Sequence, residues 1–187
     1  MSHRQPAVRR STTRRSVLLA AATLALAGGS LLAAAGARIC LSPSAPAGLY
    51  IPTAAPLVAG AWVQLCLPDP IVSFGRARGY HPAGWPPARC PDGSAAVLKR
   101  IAALPGDLVE VREEGLSVNG RLLPGTRPQP IDSERRPLPR LAGLRQRVPD
   151  GQCWVYSDTV PNSWDSRYYG PLPIASIVTP MRPLVTL

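Results

Sequence analysis

Apolar and polar positions divide the chain into two parts of different character. Residues 1–15 are basic, and no acidic residue occurs before Asp69. An uncharged run rich in alanine and leucine extends from Ser16 to Ala37, and its 22 residues could cross about 30 Å of hydrocarbon as a helix. The pattern predicts a transmembrane helix at residues 16–38 and a separate body at residues 39–187.

The flanking charges predict how this helix is oriented. Arginines precede the run and Arg38 alone directly follows it, so the tail of residues 1–15 is expected in the cytoplasm and the body outside it. This topology predicts a single-pass protein of the inner membrane with a periplasmic body. A cleavable signal peptide is the alternative, because residues 33–35 are small. We favour a retained anchor, because candidate chemistry begins a few residues after the run.

Beyond Tyr50, short stretches of alternating apolar and polar residues are separated by turns, which is typical of half-buried β-strands. Asn119-Gly120 is a strong hairpin signal. Segments 73–94 and 124–150 are rich in proline with glycine or arginine and are predicted to be loop insertions. The fold class is therefore mainly β, with long irregular connections. The predicted strands are 62–67, 97–101, 108–111, 116–118, 121–123, 153–156 and 174–178.

A single lysine, Lys99, stands against twenty arginines. Arginine serves equally well where only positive charge is needed, but it stays protonated at physiological pH and cannot act as a base. Read as a strand, period two places Lys99 on one face with Val97 and Ile101. Burial there would lower the pKa of the ammonium group, so Lys99 is a candidate general base. The alternative is that one lysine has survived by chance.

The net charge of +10 suggests a nucleic-acid partner at first sight. Six basic residues lie within residues 1–38, however, and the body carries 15 basic against 11 acidic residues. Because the body also lacks an arginine–aromatic stripe, no nucleic acid is expected as a partner. His3 and His81 are far apart and no cysteines form a C-x-x-C pair, so neither a metal nor a cofactor is expected. Cys66 and Cys90 are the best candidates for a disulfide in an exported body, although the pairing stays open.

Three segments carry candidate chemistry: Ser42–Tyr50, Val97–Asp107 and Asn162–Pro171. In their order and residues the chain resembles the type I signal peptidases, and within them the TraF-type peptidases of conjugative transfer systems. The resemblance covers essentially the whole chain and implies a signal-peptidase-like, β-rich catalytic domain behind one transmembrane helix. The similar motifs are a serine box (Ser44-x-Pro46-x-Gly48-Leu49-Tyr50), a lysine box (Lys99-Arg100 with Leu104-Pro105-Gly106-Asp107) and a C-terminal box (Ser163-x-Asp165-Ser166-Arg167-x-x-Gly170).

The residues themselves indicate a serine–lysine pair. A serine hydroxyl needs a positioned base to act as a nucleophile, and neither histidine is well placed, so Lys99 would take the proton of Ser44. Ser42 is a second candidate nucleophile, but the spacing of Ser44 to Pro46 and Gly48 fits the serine box. Without the other boxes, this serine-proline segment would be interpreted as a linker.

The resemblance implies roles for four further residues. Asp165 joins Ser44 and Lys99 among the predicted catalytic residues. Ser163 would hydrogen-bond the lysine and orient it, and Arg167 would pair with Asp165 to brace the site. Ser42 would help the backbone N–H of Ser44 to stabilise the oxyanion. The alternative for Asp165 and Arg167 is a turn with a surface ion pair.

The chain departs from the family pattern in two motifs, the second of which is compatible with the TraF type. Cys40 stands where relatives of this subgroup often carry asparagine. The Gly-Asp-Asn triplet that precedes the C-terminal box is replaced by Ser157-Asp158-Thr159. Neither departure removes a candidate catalytic group.

The expected function is a membrane-anchored serine endopeptidase that cleaves leader peptides after small residues. The TraF resemblance implies a conjugative pilin precursor as substrate, with the lipid bilayer and the conjugation or type IV secretion machinery as partners. One alternative is a general type I signal peptidase for secretory precursors, and another is a non-catalytic periplasmic adaptor of such a channel. Self-cleaving repressor-type proteins share the dyad, but they carry a DNA-binding domain where this chain has its apolar run.

Overall fold

The computed structural model describes residues 10–81 and 90–187, and the chain divides into two compact units, Met1–Ala37 and Arg38–Leu187. Within the described residues, the N-terminal unit contains one helix, α1 (Arg10–Ala34). Its stretch Arg15–Ala34 is long and apolar enough to cross a bilayer. The helix fits the predicted single-pass anchor, and a signal sequence near the N-terminus would have the same character.

The described part of the body is mainly β, as predicted, with two short α-helices, α2 (Ile71–Ala77) and α3 (Ser166–Tyr169). The strands are β1 (Arg38–Cys40), β2 (Gly48–Pro52), β3 (Trp62–Leu65), β4 (Val97–Ala103), β5 (Leu108–Val111), β6 (Leu116–Val118), β7 (Arg121–Leu122), β8 (Arg145–Arg147), β9 (Gln152–Tyr156), β10 (Leu172–Pro173) and β11 (Ile177–Thr186). A seven-stranded sheet has the order β1-β2-β11-β3-β4-β9-β10, and a four-stranded sheet has the order β7-β6-β5-β8. All neighbouring strands are antiparallel.

The four-stranded sheet follows the hairpin signals of the sequence. Strands β5 and β6 pair through Val109–Val118 and Val111–Leu116, and β6 continues into β7. Asn119 and Gly120 connect β6 with β7 and have φ angles of 50° and 81°. Two successive residues with positive φ give the turn a twist that matches the flanking strands, which explains the Asn-Gly pair.

The core lies in two main clusters. Strands β3, β4 and β9 contribute Val63, Leu65, Ile101 and Val155 to one cluster, which also contains Trp164. The second cluster joins the two sheets, because residues of β4 and β9 pack there with residues of β5 and β6: Ala103, Trp154, Val109, Val111 and Leu116. Strand β4 therefore borders both clusters, and its side chains are held from both faces.

The prediction that residues 73–94 are entirely loop is wrong at the start of that segment, because α2 spans Ile71–Ala77. Gly75 lies within this helix, and a Cβ atom there would lie 2.3 Å from Cδ2 of His81. A larger residue at position 75 would therefore require the imidazole to move. The Cys66–Cys90 disulfide closes this excursion, as predicted. Residues 82–89 lie outside the described part of the chain.

Two other strand predictions also need correction. Segment 124–150, predicted to be a loop, contains β8, which pairs with β5 at an edge of the smaller sheet. The exposed arginines of β8 are typical of an edge strand, but they leave no alternation of apolar and polar residues from which a strand could be predicted. The predicted last strand, 174–178, begins instead as a 3-10 helix at Ile174–Ser176, and β11 extends far beyond it. Pro180 and Pro183 make β11 hard to predict, because proline is rare inside a sheet. The pairing of β11 with β2 is irregular just after Pro183, whereas Pro180 lies opposite Val63 of β3 in regular register.

Candidate active site

Lys99 lies in the middle of β4, opposite Val63 of β3. Only 4% of the residue is exposed, and Ile101 two positions later is fully buried. The alternation of the sequence therefore predicted the buried face of β4 correctly. Nζ of Lys99 donates a hydrogen bond of 2.6 Å to Oγ of Ser163.

The pKa of Lys99 is lowered from 10.5 to about 8. Burial is the main cause, because the ammonium group loses its hydration. Asp165 acts in the opposite direction and raises this pKa, whereas the guanidinium of Arg167 lowers it. With this pKa about a tenth of the amine is neutral at pH 7 and able to accept a proton, whereas an amine with a pKa of 10.5 would be neutral in fewer than about one molecule in a thousand.

Asp165 and Arg167 form an ion pair with side chains that are both fully buried. Nε and one terminal nitrogen of Arg167 reach the two carboxylate oxygens at 2.8 and 2.6 Å. Asp165 also caps α3, because its carboxylate accepts the backbone N–H of Arg167. The alternative of a surface ion pair is thereby excluded. A bidentate, buried pair of this kind fixes the geometry of the turn that precedes α3.

Ser44 lies in a turn between β1 and β2. Its Oγ is 2.9 Å from Oγ of Ser42, and its backbone N–H donates to the same Ser42 hydroxyl at 3.4 Å. The Ser42 hydroxyl and the Ser44 N–H thus lie side by side next to the Ser44 hydroxyl. The Ser44 N–H points at the Ser42 oxygen, so the two groups would have to reorient before both could donate to one oxyanion.

The Ser44 turn is connected to the Asp165 turn through Ser157. Oγ of Ser157 donates to the backbone carbonyl of Ser44 at 2.7 Å, and the backbone N–H of Ser157 donates to Asp165 at 3.0 Å. Lys99 reaches the same turn through Ser163. The structure therefore ties the candidate nucleophile and the candidate base to one segment.

Ser44 and Lys99 do not share a hydrogen bond within the described residues. The recorded partner of the Ser44 hydroxyl is Ser42, and that of the Lys99 amine is Ser163. Catalytic hydrogen bonds are often long or absent without substrate and form only in the Michaelis complex. If Lys99 accepts the proton of Ser44, the Ser44 hydroxyl must first turn away from Ser42.

An aromatic cluster around Trp164 supports the turn, and no sequence pattern predicted it. Trp164 lies between Ser163 and Asp165 in the chain, and its ring stacks on Phe74 of α2 with centroids 4.6 Å apart. Burial of its indole fixes the two polar neighbours on either side. Three tyrosines complete the cluster: Tyr80, Tyr168 and Tyr169.

Two further residues, His81 and Cys40, interact electrostatically with Lys99. Burial, followed by the positive charge of Lys99, lowers the pKa of His81 to about 4, so this imidazole is neutral at pH 7. Its Nε2 is buried and has no hydrogen-bond partner among the described residues. The partly exposed Cys40 forms no disulfide and raises the pKa of Lys99 slightly. Its Sγ lies 3.9 Å from the carbonyl oxygen of Ser42.

No group of three or more potential metal ligands occurs among the described residues. Asp107, which ends the lysine box, serves a turn: its carboxylate accepts the backbone N–H of Leu104 at 2.9 Å and the side-chain amide of Asn119 at 2.8 Å. The polar groups gathered at the site are the serines Ser42, Ser44 and Ser163, the Lys99 amine and the buried ion pair of Asp165 with Arg167.

Comparison with known proteins places these residues in a family. Residues 46–185 match the model of the signal peptidase family, peptidase S26. A plasmid transfer protein TraF of Escherichia coli is 37% identical over 171 residues, which cover 91% of this chain and 93% of the relative. A conjugal transfer protein TraF of Agrobacterium tumefaciens is 34% identical and covers 81% of this chain and 83% of the relative.

More distant relatives carry signal peptidase names. A probable signal peptidase I-1 of Synechocystis is 35% identical over 100 residues, which is 53% of this chain and 47% of that protein. A signal peptidase I of Enterococcus faecalis, known as a crystal structure, covers 68% of this chain and 98% of that chain with 20% identity and a TM-score of 0.37. The assignment rests on the sequence matches along nearly the full chain. The chain belongs to the signal peptidase family, peptidase S26, and within it to the TraF type.

Proposed function

We propose that this chain is a serine endopeptidase that uses Ser44 as nucleophile and Lys99 as general base to remove the leader peptide of an exported precursor. The observation that carries the proposal is the buried Lys99 amine, 2.6 Å from Ser163, whose pKa is lowered to about 8. A lysine with ordinary exposure would be protonated at neutral pH and could not accept the serine proton.

The reaction begins when neutral Lys99 takes the hydroxyl proton of Ser44. Oγ of Ser44 then attacks the scissile carbonyl carbon, and the backbone N–H of Ser44 and the Ser42 hydroxyl stabilise the oxyanion. Loss of one such donor typically lowers the rate by about 10²–10³-fold. When the C–N bond breaks, the Lys99 ammonium returns its proton to the leaving amine, and an acyl-enzyme remains.

A second nucleophile then releases the acyl group. Water, or the amine of a peptide, attacks the ester carbonyl carbon while Lys99 accepts its proton. When the C–O bond to Ser44 breaks, the Lys99 ammonium gives that proton to Oγ, and the free serine is regenerated. Ser163 holds the Lys99 amine in place during both half-reactions. Asp165 and Arg167 hold the turn that carries Ser163, since their ion pair is fully buried.

The substrate is proposed from the relatives rather than from the site. Relatives named for plasmid and conjugal transfer match along most of the chain, which favours a conjugative pilin precursor over general secretory precursors. The same relationship favours α1 as a retained anchor of the inner membrane, with the body in the periplasm near the transfer machinery. Comparing a pilin precursor with a generic secretory precursor tests this choice directly.

The decisive experiment moves the lysine by one position. Lys99→Arg keeps the charge but removes the base, and the double change Lys99→Arg with Arg100→Lys restores a lysine on the other face of β4. We expect precursor processing in membranes to be lost in both variants. Arg100→Lys alone is the control and is expected to process normally, because Lys99 is unchanged.

Equal accumulation of all four proteins must be checked by immunoblotting. If Lys99→Arg processes the precursor nearly as well as the wild type, the serine–lysine mechanism is wrong. If the wild type neither processes a precursor nor reacts at Ser44 with a serine-directed acylating probe, the adaptor becomes the favoured function.

A further inference from the structure

Ser157 follows directly after β9 and is fully buried. Its hydroxyl donates a 2.7 Å hydrogen bond to the backbone carbonyl of Ser44, which lies 113 residues earlier in the chain. The position is one of the two departures from the family pattern, since the corresponding triplet there begins with glycine, which has no hydroxyl. The contact therefore adds something that a glycine at this position cannot supply.

The direction of this hydrogen bond follows from its partners. A carbonyl oxygen can only accept, so the single proton of the Ser157 hydroxyl is directed to Ser44. The hydroxyl of Thr159 lies 2.8 Å from Oγ of Ser157 and must therefore be the donor in that pair. The backbone N–H of Thr159 approaches the same oxygen at 3.3 Å. Ser157 is thus held with its proton aimed at the Ser44 carbonyl.

The backbone of Ser157 is held just as firmly by the buried ion pair. Its N–H donates to Asp165 at 3.0 Å, and its carbonyl accepts from a terminal nitrogen of Arg167 at 3.2 Å. The ion pair thus acts on the peptide groups on both sides of this residue. The ion pair fixes the backbone of Ser157, and the Ser157 hydroxyl in turn fixes the carbonyl group of Ser44.

The other strong restraints on the Ser44 turn act on the residues that follow Ser44. Ala45 is buried in a cluster with Tyr50 and Trp62, and the Tyr50 hydroxyl donates to the carbonyl of Pro46 at 2.9 Å. Prolines at positions 43 and 46 remove two backbone donors from the turn, and the N–H of Ala45 donates to Ser42 at a long 3.3 Å. The orientation of the peptide after Ser44 determines where the Cα–Cβ bond of that residue points. Holding the Ser44 carbonyl therefore directs the nucleophilic hydroxyl.

We infer that Ser157 is a positioning residue for the nucleophile, and that it couples the Asp165–Arg167 ion pair to the Ser44 turn. The inference rests on the proposed function, because it assigns a role in the attack by Ser44. Displacing a reacting atom by about 1 Å can lower a rate by about 100-fold. Removal of the Ser157 hydroxyl should therefore slow acylation while substrate binding and the basicity of Lys99 stay unchanged.

The test compares Ser157→Ala with the wild-type full chain in membranes or detergent. Three quantities are measured: kcat and KM for a peptide that spans a pilin cleavage site, the labelling rate of Ser44 by a fluorescent β-lactam that acylates serines, and the pH profile of labelling. We expect kcat and labelling to fall by about 10- to 100-fold, with KM within twofold and an unchanged pH midpoint. A general disturbance of the site through Asp165 would instead move the pH midpoint, because Asp165 raises the pKa of Lys99.

Ser117→Ala is the matched control. Ser117 is also a fully buried serine, but its hydroxyl has no hydrogen-bond partner among the described residues and it lies on β6 in the other sheet. Its kcat and labelling rate are expected to stay within twofold of wild type. Ser157→Gly is a second test variant, since glycine occupies this position in the family pattern, and it should lose as much rate as the alanine variant.

The outcomes separate this inference from the proposed function. Rates within twofold of wild type in a folded Ser157→Ala or Ser157→Gly protein overturn the inference but leave the serine–lysine mechanism intact. A raised KM with unchanged kcat, or a shifted pH midpoint, also overturns it. Absence of any reaction in the wild-type protein overturns the proposed function itself.

Discussion

Lys99 and Ser163 meet through a 2.6 Å hydrogen bond although 64 residues separate them in the chain. The bond joins the middle of β4 to the turn that carries the Asp165–Arg167 ion pair. The amine is therefore buried, oriented and placed near two opposite charges at once. These three effects have separate consequences for activity and stability.

The first prediction concerns the pH dependence of acylation. Because the pKa of Lys99 is about 8 and only the neutral amine accepts a proton, labelling of Ser44 should rise about tenfold per pH unit below the midpoint and level off above it. The rate of β-lactam labelling between pH 6 and 9.5 measures this. His81→Gln is the control and should leave the midpoint unchanged, since the pKa of His81 is about 4. A midpoint near 6.5 that disappears in His81→Gln would identify histidine as the base.

The second prediction concerns the energetic cost of burying Lys99. At pH 7 the amine is largely protonated in the folded protein, where its pKa is about 8 instead of 10.5, and this disfavours folding by on the order of 3 kcal/mol. Lys99→Met should therefore be inactive but unfold at a higher temperature at pH 7. The wild type gains stability as the pH rises from about 8 towards 10.5, so the advantage of the methionine variant should shrink over that range.

Thermal unfolding of both proteins at pH 7 and pH 10, followed by tryptophan fluorescence, checks the sign. Equal or lower stability of Lys99→Met at pH 7 would contradict it. The unpaired Ser163 hydroxyl in that variant works against the expected gain.

The third prediction concerns the ion pair. Asp165→Asn leaves the fully buried Arg167 without its carboxylate and should lower the free energy of unfolding by about 3–5 kcal/mol. It should also lower the pKa of Lys99 further, because Asp165 raises it. Glu113→Gln is the matched control, since its pair with Arg140 is exposed on both sides, and it should change stability by less than about 1 kcal/mol. Similar losses of unfolding free energy in both variants would show that the buried Asp165–Arg167 pair contributes no more to stability than an exposed pair.

The fourth prediction concerns the Cys66–Cys90 disulfide. The bond closes the excursion that carries α2, and Phe74 of α2 stacks on Trp164 next to Ser163. The double change Cys66→Ser with Cys90→Ser should lower stability by about 2–4 kcal/mol and reduce processing as well. Cys153→Ala is a control for loss of a buried thiol outside the excursion. Normal stability and processing in the double variant would indicate that the Trp164 cluster holds α2 without the disulfide.

The sequence was informative where local rules decide the structure. Period-two alternation predicted the buried face of β4, and Asn119-Gly120 predicted a hairpin, because both depend on neighbouring residues alone. The positions of Cys66 and Cys90 on either side of the excursion made them the best candidate pair, and the structure shows that they form a disulfide. The order of the three boxes identified the family, which the comparisons confirm.

Such local rules do not predict contacts between segments that are far apart in the sequence. Nothing near Ser157 in the sequence indicates that its hydroxyl bonds to Ser44, and Phe74 shows no sign of its Trp164 partner. Most of β11, from Thr179 onward, was missed because Pro180 and Pro183 contradict local strand preference, while pairing on both sides stabilises the strand. Helix α2 was missed because the proline and glycine content of segment 73–94 predicts a loop, and the closeness of His81 to Gly75 leaves no sign in the local sequence.

Because the one lysine of the chain is buried, cleavage by a lysine-specific protease would report local opening of the structure around Lys99. A lysine-specific endoproteinase has one cleavable bond in this sequence, between Lys99 and Arg100. That bond lies within β4, which is paired with β3 on one side and with β9 on the other. Cleavage therefore requires the strand that carries the candidate base to leave the sheet. The rate at which two fragments appear measures how often this region opens, and any ligand that closes the site should slow it.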